Sequence, residues 1–502
     1  MTEDPMPEDT TTQARRRIAD AYSPSLLREL AHVLADKLGD HLSAVQNSEG
    51  SVLNWQAPDG NIQLAREVLS EGQSDLDASS LRALFCRRID TMLARGHNLH
   101  DPRYIGHKVP APLPIAGLFD AVGSVTNQVM AIYEMGPWAT SVERAMIEQL
   151  GEKIGWAPDS FAGLITHGGS LANLTALLTA RNVAFDHGWE NGIDVPTPTL
   201  VVHGDSHYSV SRSAGILGIG TKNVVKAELD ELRRIDPQKL DDQLASLKAE
   251  GRSIMAVVAC ACATPIGAFD PLAEIAAVCQ QHQVWMHVDA AHGGAVCFSD
   301  RHKHLLNGWE QVDSLIWDAH KMMFVPALCA FVFYKNKQHR FETFRQNAPY
   351  LFDPSEPGMA EYDSGLLTVE CTKRATAYGL WGVWSLFGPS LFGDMVDVTF
   401  DTATKLHEKL EEAEDFQALH KPQCNIVAFR HIPKHMKDAP PETIGRLQHQ
   451  LRHDLIRSGE FYIVQTTFNG VPALRVTVCN PLTDESHIDQ LLDELRKLSR
   501  SY

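Results

Sequence analysis

Apolar runs of strand length alternate with helical patterns between about residues 100 and 380, and this alternation constrains the fold more than any other feature of the chain. Helical patterns at 171–185 and 272–281 separate several of the runs. Such alternation predicts an α/β domain with a mainly parallel sheet, whose ligands bind beyond the carboxyl ends of the strands. The predicted strands lie at 200–203, 253–259, 284–288, 314–317 and 327–334.

The segments on either side of this alternation have different sequence patterns. At 502 residues, the chain also exceeds the roughly 250–300 residues at which a single hydrophobic core stops growing. Leucines recur at three- and four-residue intervals after Ser23-Pro24, which predicts a helical N-terminal segment over 1–99, with 1–14 expected to be disordered. A helix, short strands and a closing helix predict a small α+β domain over 381–502, which leaves 100–380 as the large domain. Within it, 345–368 carries three prolines and four acids and predicts a functional lid or a linker.

Composition excludes several classes of partner. With 45 basic and 63 acidic residues the formal charge is −18 and no basic stripe offsets it, so neither nucleic acid nor a membrane surface is an expected partner. Residues 1–14 lack the apolar core of a secretory signal, and nine cysteines without such a signal predict reduced thiols in a cytoplasmic protein. The pair Cys260 and Cys262 has no second pair at zinc-site spacing, so no metal site is predicted.

Two polar residues stand at the ends of predicted strands. Asp289 ends the run His287-Val288-Asp289, and Lys321 follows 32 residues later in His320-Lys321. A lysine in such a place can form a Schiff base with the aldehyde of pyridoxal phosphate, and a carboxylate on a neighbouring strand can keep the cofactor's pyridine nitrogen protonated. The pairing therefore predicts pyridoxal phosphate chemistry.

A glycine-rich turn, Gly168-Gly169-Ser170, lies between an apolar strand and an apolar helix. Glycines let the backbone approach an anion closely, Ser170 offers a hydroxyl, and a helix N-terminus presents unpaired N–H groups. The same turn can also serve only as the cap of a helix. Together with Lys321 downstream, it predicts a phosphate site.

These motifs resemble those of the pyridoxal-phosphate-dependent group II amino-acid decarboxylases, the family of glutamate, cysteine sulfinate and aromatic amino-acid decarboxylases. The resemblance runs from about residue 101 to 481 and implies the fold-type I architecture of aspartate aminotransferase, with a small α+β C-terminal domain. It also implies a homodimer with shared active sites. The motifs that carry it are Gly168-Gly169-Ser170, Ser206-His207, Gly267 to Leu272, His287 to Ala291, His320-Lys321, Arg475 and Asn480-Pro481.

The resemblance also assigns roles to individual residues. It implies that Lys321 holds the cofactor covalently, Asp289 binds its ring nitrogen, and Arg475 binds the substrate's α-carboxylate. Tyr350 is implied to return a proton to Cα in the neighbouring subunit's site. The remaining cofactor contacts that it implies are Gly169, Ser170 and His320 at the phosphate, His207 and Ala291 on the two ring faces, and Thr264 at the ring's polar edge.

The substrate is the least determined part of this interpretation. His107 stands where glutamate decarboxylases have a glutamine, and with Lys108 it favours a short acidic substrate such as aspartate, glutamate or cysteine sulfinate, although Lys108 can equally be a solvent-exposed residue. Cys262-Ala263-Thr264 also departs from the Gly-Thr-Thr of many relatives. The alternatives are a decarboxylase of an aromatic or diamino acid such as 2,4-diaminobutyrate, another lyase or an aminotransferase of this fold, and a catalytically silent binding subunit.

Overall fold

The computed structural model describes residues 10–73, 76–344 and 360–502. The chain forms two compact units. One comprises Met1–Tyr104 and Leu451–Tyr462, and the other comprises Ile105–Gln450 and Ile463–Tyr502. The predicted segments 1–99, 100–380 and 381–502 stay a prediction.

The first unit contains the N-terminal helices that the leucine spacing predicts. Ser23 caps the second of them by accepting a hydrogen bond from the Leu26 N–H, and Pro24 occupies the first helical position. The structure differs from the expectation at residues 10–14, which belong to the first helix rather than to a disordered start, because the alanines and arginines that follow favour a helix. The helices are α1 (Thr10–Ala21), α2 (Pro24–Gln46), α3 (Pro58–Ser70) and α4 (Ala78–Arg95).

The second unit begins with the large sheet and the helices that cover it. In chain order its elements are α5 (Pro114–Val125), β1 (Val129–Met130), α6 (Pro137–Ile154), β2 (Ala162–Thr166), α7 (Gly169–Ala184), β3 (Pro198–Val202), α8 (Tyr208–Ile216), β4 (Val224–Lys226), α9 (Pro237–Ala249), β5 (Ser253–Cys260), α10 (Leu272–His282), β6 (Trp285–Asp289), β7 (Ser314–Asp318) and β8 (Ala330–Tyr334).

Seven strands form this sheet in the order β2-β8-β7-β6-β5-β3-β4. The strands β4, β3, β5, β6 and β7 pair in parallel, whereas β8 is antiparallel to both β7 and β2. Alternate residues of β8 enter different cores: Phe331 and Phe333 pack on one side of the sheet, and Val332 and Tyr334 on the other. Both faces are therefore covered, as a mainly parallel sheet requires.

The rest of the second unit carries a smaller antiparallel sheet of strand order β10-β11-β13-β12. Asp484 begins the closing helix with a capping box to His487. None of the helices in the described ranges is long and apolar enough to cross a bilayer. The remaining elements are β9 (Lys373–Arg374), α11 (Tyr378–Phe387), α12 (Ser390–Glu412), β10 (Phe416–Ala418), β11 (Ile426–His431), α13 (Pro441–Ser458), β12 (Val464–Phe468), β13 (Val471–Thr477) and α14 (Glu485–Ser499).

Candidate active site

A cavity of about 450 Å³ lies beyond the carboxyl ends of β5, β6 and β7, where a parallel sheet binds its ligands. The structure brings the predicted site residues together on its wall, except Tyr350, which lies outside the described residues. Those lining the cavity are His107, Gly169, Ser170, His207, Thr264, Asp289, Ala291, His320, Lys321 and Arg475.

Asp289 is the last residue of β6, and a buried polar network fixes its carboxylate. One carboxylate oxygen accepts a hydrogen bond from the Asn173 amide at 3.0 Å, and the other accepts the Ala291 N–H at 3.2 Å. The Asn173 side-chain oxygen lies 2.9 Å from His287 Nε2, and burial lowers the pKa of His287 to about 4. A neutral His287 that donates from Nε2 therefore orients the Asn173 amide so that its NH₂ faces Asp289.

His207 belongs to the same network. It caps α8, and its Nδ1 accepts the Ser209 N–H and lies 2.8 Å from the Ser209 hydroxyl. The Asn173 amide also donates to that hydroxyl, at 3.1 Å. Burial is the main cause that lowers the pKa of His207, so its ring is neutral near pH 7 and presents an uncharged aromatic face to the cavity.

Lys321 is paired with an acid that the sequence argument overlooked. Its Nζ lies 2.9 Å from Oδ2 of Asp318, the buried last residue of β7, three positions before the lysine. Burial opposes the charge on Lys321, but Asp318 and Asp289 outweigh it and raise the pKa of the lysine. His320 Nε2 lies 3.6 Å from the same Asp318 oxygen. A carboxylate at the end of a strand, three residues before the lysine, is the signal that could have identified it.

The glycine-rich turn connects β2 to α7. Gly168 has a φ of +107°, a conformation that side chains other than glycine's rarely adopt, and α7 begins at Gly169. A Cβ atom at Gly169 would lie 2.7 Å from Asp318 Oδ2, so a larger residue does not fit there. The turn and Ser170 thus line the cavity at a helix N-terminus, whose N–H groups suit an anion.

Two further cations line the cavity. Arg475, on β13 of the small sheet, donates through Nη1 to the Thr264 carbonyl oxygen at 3.0 Å, and its buried Nε has no partner among the described residues. Lys108 is half-buried, with its Nζ 4.0 Å from Cys262 Sγ. Burial, Arg475 and Lys321 lower the pKa of Lys108. Within the described ranges, neither Lys108 nor Arg475 forms a salt bridge with a carboxylate.

This set of groups fits pyridoxal phosphate. A glycine turn before a helix suits a phosphate, a fixed carboxylate suits a protonated ring nitrogen, and a lysine amine suits an aldehyde. The buried Oδ1 of Asp318 has no hydrogen-bond donor among the described residues, so the polar wall retains unused capacity for a ligand. Asn173 and Asp318 add contacts that the motifs alone did not assign.

Comparison with known proteins agrees with this geometry. Residues 98–432 match the family model described as the pyridoxal-dependent decarboxylase conserved domain. The mouse protein named acidic amino acid decarboxylase GADL1 is 30% identical over 382 residues, which cover 74% of this chain and 69% of that protein. The bovine protein of the same name is also 30% identical, over 74% of this chain and 73% of that protein.

Solved structures agree on the fold. The crystal structure of mouse CSAD superposes with a TM-score of 0.87 at 26% identity, covering 96% of this chain and all of that one. The crystal structure of Oryza sativa TDC with PLP and tryptamine has a TM-score of 0.86 at 19% identity, over 95% of this chain and 98% of that one, a similarity that concerns the fold alone. The predicted fold-type I α/β architecture is confirmed.

Proposed function

Because the chain belongs to the pyridoxal-dependent decarboxylase family, and is therefore a carboxy-lyase that uses pyridoxal phosphate, we propose that it removes the α-carboxylate of an L-amino acid with a short acidic side chain. Aspartate, glutamate and cysteine sulfinate are the candidate substrates. The observation that carries this proposal is the pair of cations at the cavity, Lys108 and Arg475, which lack a carboxylate partner among the described residues.

The charges favour two acidic groups on the substrate. Arg475 has a planar guanidinium suited to bind a carboxylate through two N–H groups, and its Nε, which has no hydrogen-bond partner among the described residues, can serve that purpose. Lys108 would then meet the acid of the side chain, with His107 beside it on the wall. Lys108 would repel the ammonium group of a diamino acid. An aromatic side chain would displace water from the Lys108 ammonium group without offering a hydrogen-bond acceptor in its place.

Cofactor binding in this proposal uses other residues of the same cavity. Lys321 would hold pyridoxal phosphate covalently, while Gly169, Ser170 and His320 would contact its phosphate. Asp289 would bind the ring nitrogen, and the flat face of His207 would cover the ring opposite Ala291. When bound, the cofactor supplies an electron sink for the electron pair that remains at Cα as carbon dioxide leaves.

The chain's own groups would set the course of the reaction. Arg475 holds the α-carboxylate so that the bond to be broken keeps one orientation. Asp289, oriented by Asn173, keeps a proton on the ring nitrogen by its negative charge. Tyr350 then delivers a proton to Cα, which favours release of an amine.

We further propose a homodimer with shared active sites, in a reducing cytoplasm. Within its own chain α2 buries only Val45 over 23 residues. In the other unit α5 exposes Leu118, Val122 and Val125, with exposed fractions of 62, 56 and 61%. Apolar helix faces of this size support burial against a second copy. Nine cysteines, all free among the described residues, support a reducing compartment.

A substrate panel tests the proposed function. The protein loaded with pyridoxal phosphate is incubated with the standard amino acids, cysteine sulfinate and 2,4-diaminobutyrate, and the amine products are identified by mass spectrometry. We expect the amine of an acidic amino acid as the main product. A main product from an aromatic or diamino acid would contradict the acidic substrate class, and a keto acid without carbon dioxide would point to transamination.

A further inference from the structure

Two buried thiols lie against each other on the substrate side of the cavity. Cys262 Sγ and Cys424 Sγ are 3.6 Å apart, and the two residues are 7% and 3% exposed. Cys262 lines the cavity, whereas Cys424 stands behind it, just before β11. A disulfide has a sulfur–sulfur distance of ~2.05 Å, so the pair needs to close by only about 1.5 Å.

The backbone around the pair leaves room for both sulfur atoms. Gly267 has a φ of +77°, and a Cβ atom there would lie 2.2 Å from Cys424 Sγ and 3.4 Å from Cys262 Sγ. Any larger residue would therefore displace the thiols. The Gly267 carbonyl oxygen lies 3.5 Å from Cys424 Sγ and offers that thiol a second acceptor.

The two thiols differ in reactivity. Burial opposes ionisation of Cys262, but the contact with Cys424 and the positive charges of Lys108, Lys321 and Arg475 outweigh it and lower its pKa to about 7. Burial and the neighbouring Cys262 raise the pKa of Cys424 well above its usual value. Near pH 7 a large fraction of Cys262 is therefore a thiolate at the cavity, whereas Cys424 stays a neutral thiol beside it, and thiolates are the nucleophiles in cysteine chemistry.

We propose that Cys262 is a peroxide-sensitive modification site and that Cys424 is its resolving thiol. The Cys262 thiolate attacks one oxygen of hydrogen peroxide, the oxygen–oxygen bond breaks, and hydroxide leaves as Cys262 becomes a sulfenic acid. The Cys424 sulfur then attacks the Cys262 sulfur, the sulfur–oxygen bond breaks, and the released hydroxide takes up the Cys424 proton to form water. Two thiols lose two electrons to the peroxide and a disulfide remains.

The location of the pair makes this step selective. The cavity gives a molecule as small as hydrogen peroxide a route to Cys262, because its wall includes the exposed His107 and the half-buried Lys108. Cys479, which is also buried, lies near Asn425, and burial raises the pKa of its thiol to about 12. Cys479 therefore serves as a matched control that shares the burial but not the reactivity.

Peptide mapping tests the proposal on the protein loaded with its cofactor. The protein is treated with hydrogen peroxide at pH 7, free thiols are blocked with iodoacetamide, and unreduced peptides are identified by mass spectrometry. We expect loss of the Cys262 and Cys424 thiols and a peptide that links these two residues, both reversed by dithiothreitol. The mapping does not depend on which amino acid is decarboxylated, so it is independent of the proposed substrate.

Three variants define the mechanism. Cys371→Ser removes an exposed thiol and should leave the cross-link unchanged, as should Cys479→Ala. Cys424→Ala should abolish the cross-link and leave Cys262 oxidised to the sulfinic acid, which dithiothreitol does not reverse. The proposal is wrong if Cys262 of the wild-type protein still reacts with iodoacetamide after Cys371 is fully oxidised. It is also wrong if Cys262 forms a disulfide with a cysteine other than Cys424. Both results come from the wild-type protein, so neither depends on the folding of a variant.

Discussion

Replacement of Lys108 by methionine tests the acidic substrate most directly. The change removes the positive charge and keeps an unbranched side chain of similar length, so the cavity retains its volume. The proposed contact between Lys108 and the side-chain acid of the substrate is then lost, while Arg475 and the cofactor side remain intact. We expect a lower kcat/KM for acidic substrates, mainly through a higher KM.

The size of the effect follows from the surroundings of Lys108. Opposite charges ~4 Å apart attract by ~4 kcal/mol at an effective dielectric constant near 20. The substrate acid gives up water to make this contact, and hydrogen bonds to charged groups contribute about 1.5–3 kcal/mol net. Since ~1.4 kcal/mol corresponds to a tenfold change in rate, kcat/KM should fall roughly 10- to 150-fold.

The assay compares an acidic amino acid with its amide, aspartate with asparagine or glutamate with glutamine, on the wild type and the variant. The amide retains the shape but lacks the charge, so its slower turnover should change little. Lys108→Arg should restore part of the activity on the acid. Lys405→Met removes a half-exposed lysine on α12 and should leave both substrates unaffected. An equal loss on acid and amide would refute the reasoning and leave Lys108 as a structural residue.

Three further predictions concern the cofactor side, the dimer and stability. Asp289→Asn should keep the fold, with a lower melting temperature because its NH₂ group meets the Asn173 amide or the Ala291 N–H, and should lose about 3 kcal/mol of interaction with the ring nitrogen, which corresponds to a roughly 100-fold lower turnover. Lys321→Ala should bind pyridoxal phosphate without turnover. Mixing this variant with Tyr350→Phe under subunit exchange should restore part of the activity. No recovery would mean that Tyr350 serves the active site of its own subunit. Burial raises the pKa of Asp120 to about 6, so the folded state holds a proton that the unfolded state releases, and stability falls as pH rises from 4 to 6. Asp120→Asn should therefore raise the melting temperature at pH 7.5 and change it little at pH 4, while its side-chain oxygen still accepts the Gly379 N–H.

Five of the seven strands of the large sheet and their mainly parallel arrangement could be predicted from the sequence, but the reversed direction of β8 could not. The runs at 253–259 and 314–317 coincide with β5 and β7 to within a residue. Strands buried on both faces are apolar throughout, so β8 looks like its parallel neighbours although it pairs antiparallel with β7. Direction depends on the path of the connecting segments, which local hydrophobicity does not encode.

The site residues also fall into those that the sequence could predict and those that it could not. Asp289 and Lys321, which are proposed to act through their own chemistry, could be predicted because their type and position at strand ends are unusual. Asn173 and Asp318 act through contacts with them, at 3.0 and 2.9 Å, and these contacts exist only once separate strands and helices have met. The sequence left open whether Lys108 is a site residue or a solvent-exposed one, for the same reason. It lies half-buried on the cavity wall, which supports the proposed substrate contact.

A chain with a net charge of −18 can bind an acidic substrate, because the acids on its surface act on the cavity over longer distances whereas the cavity's own charges act at short range. At physiological ionic strength, charges beyond ~8 Å are largely screened, so most surface acids contribute little to a substrate inside the cavity. There, Lys321 is paired with Asp318, and Asp289 is proposed to hold the cofactor nitrogen. No carboxylate among the described residues of the wall balances the positive charges of Lys108 and Arg475. A substrate with two acidic groups supplies that balance, whereas a diamino acid adds to the excess.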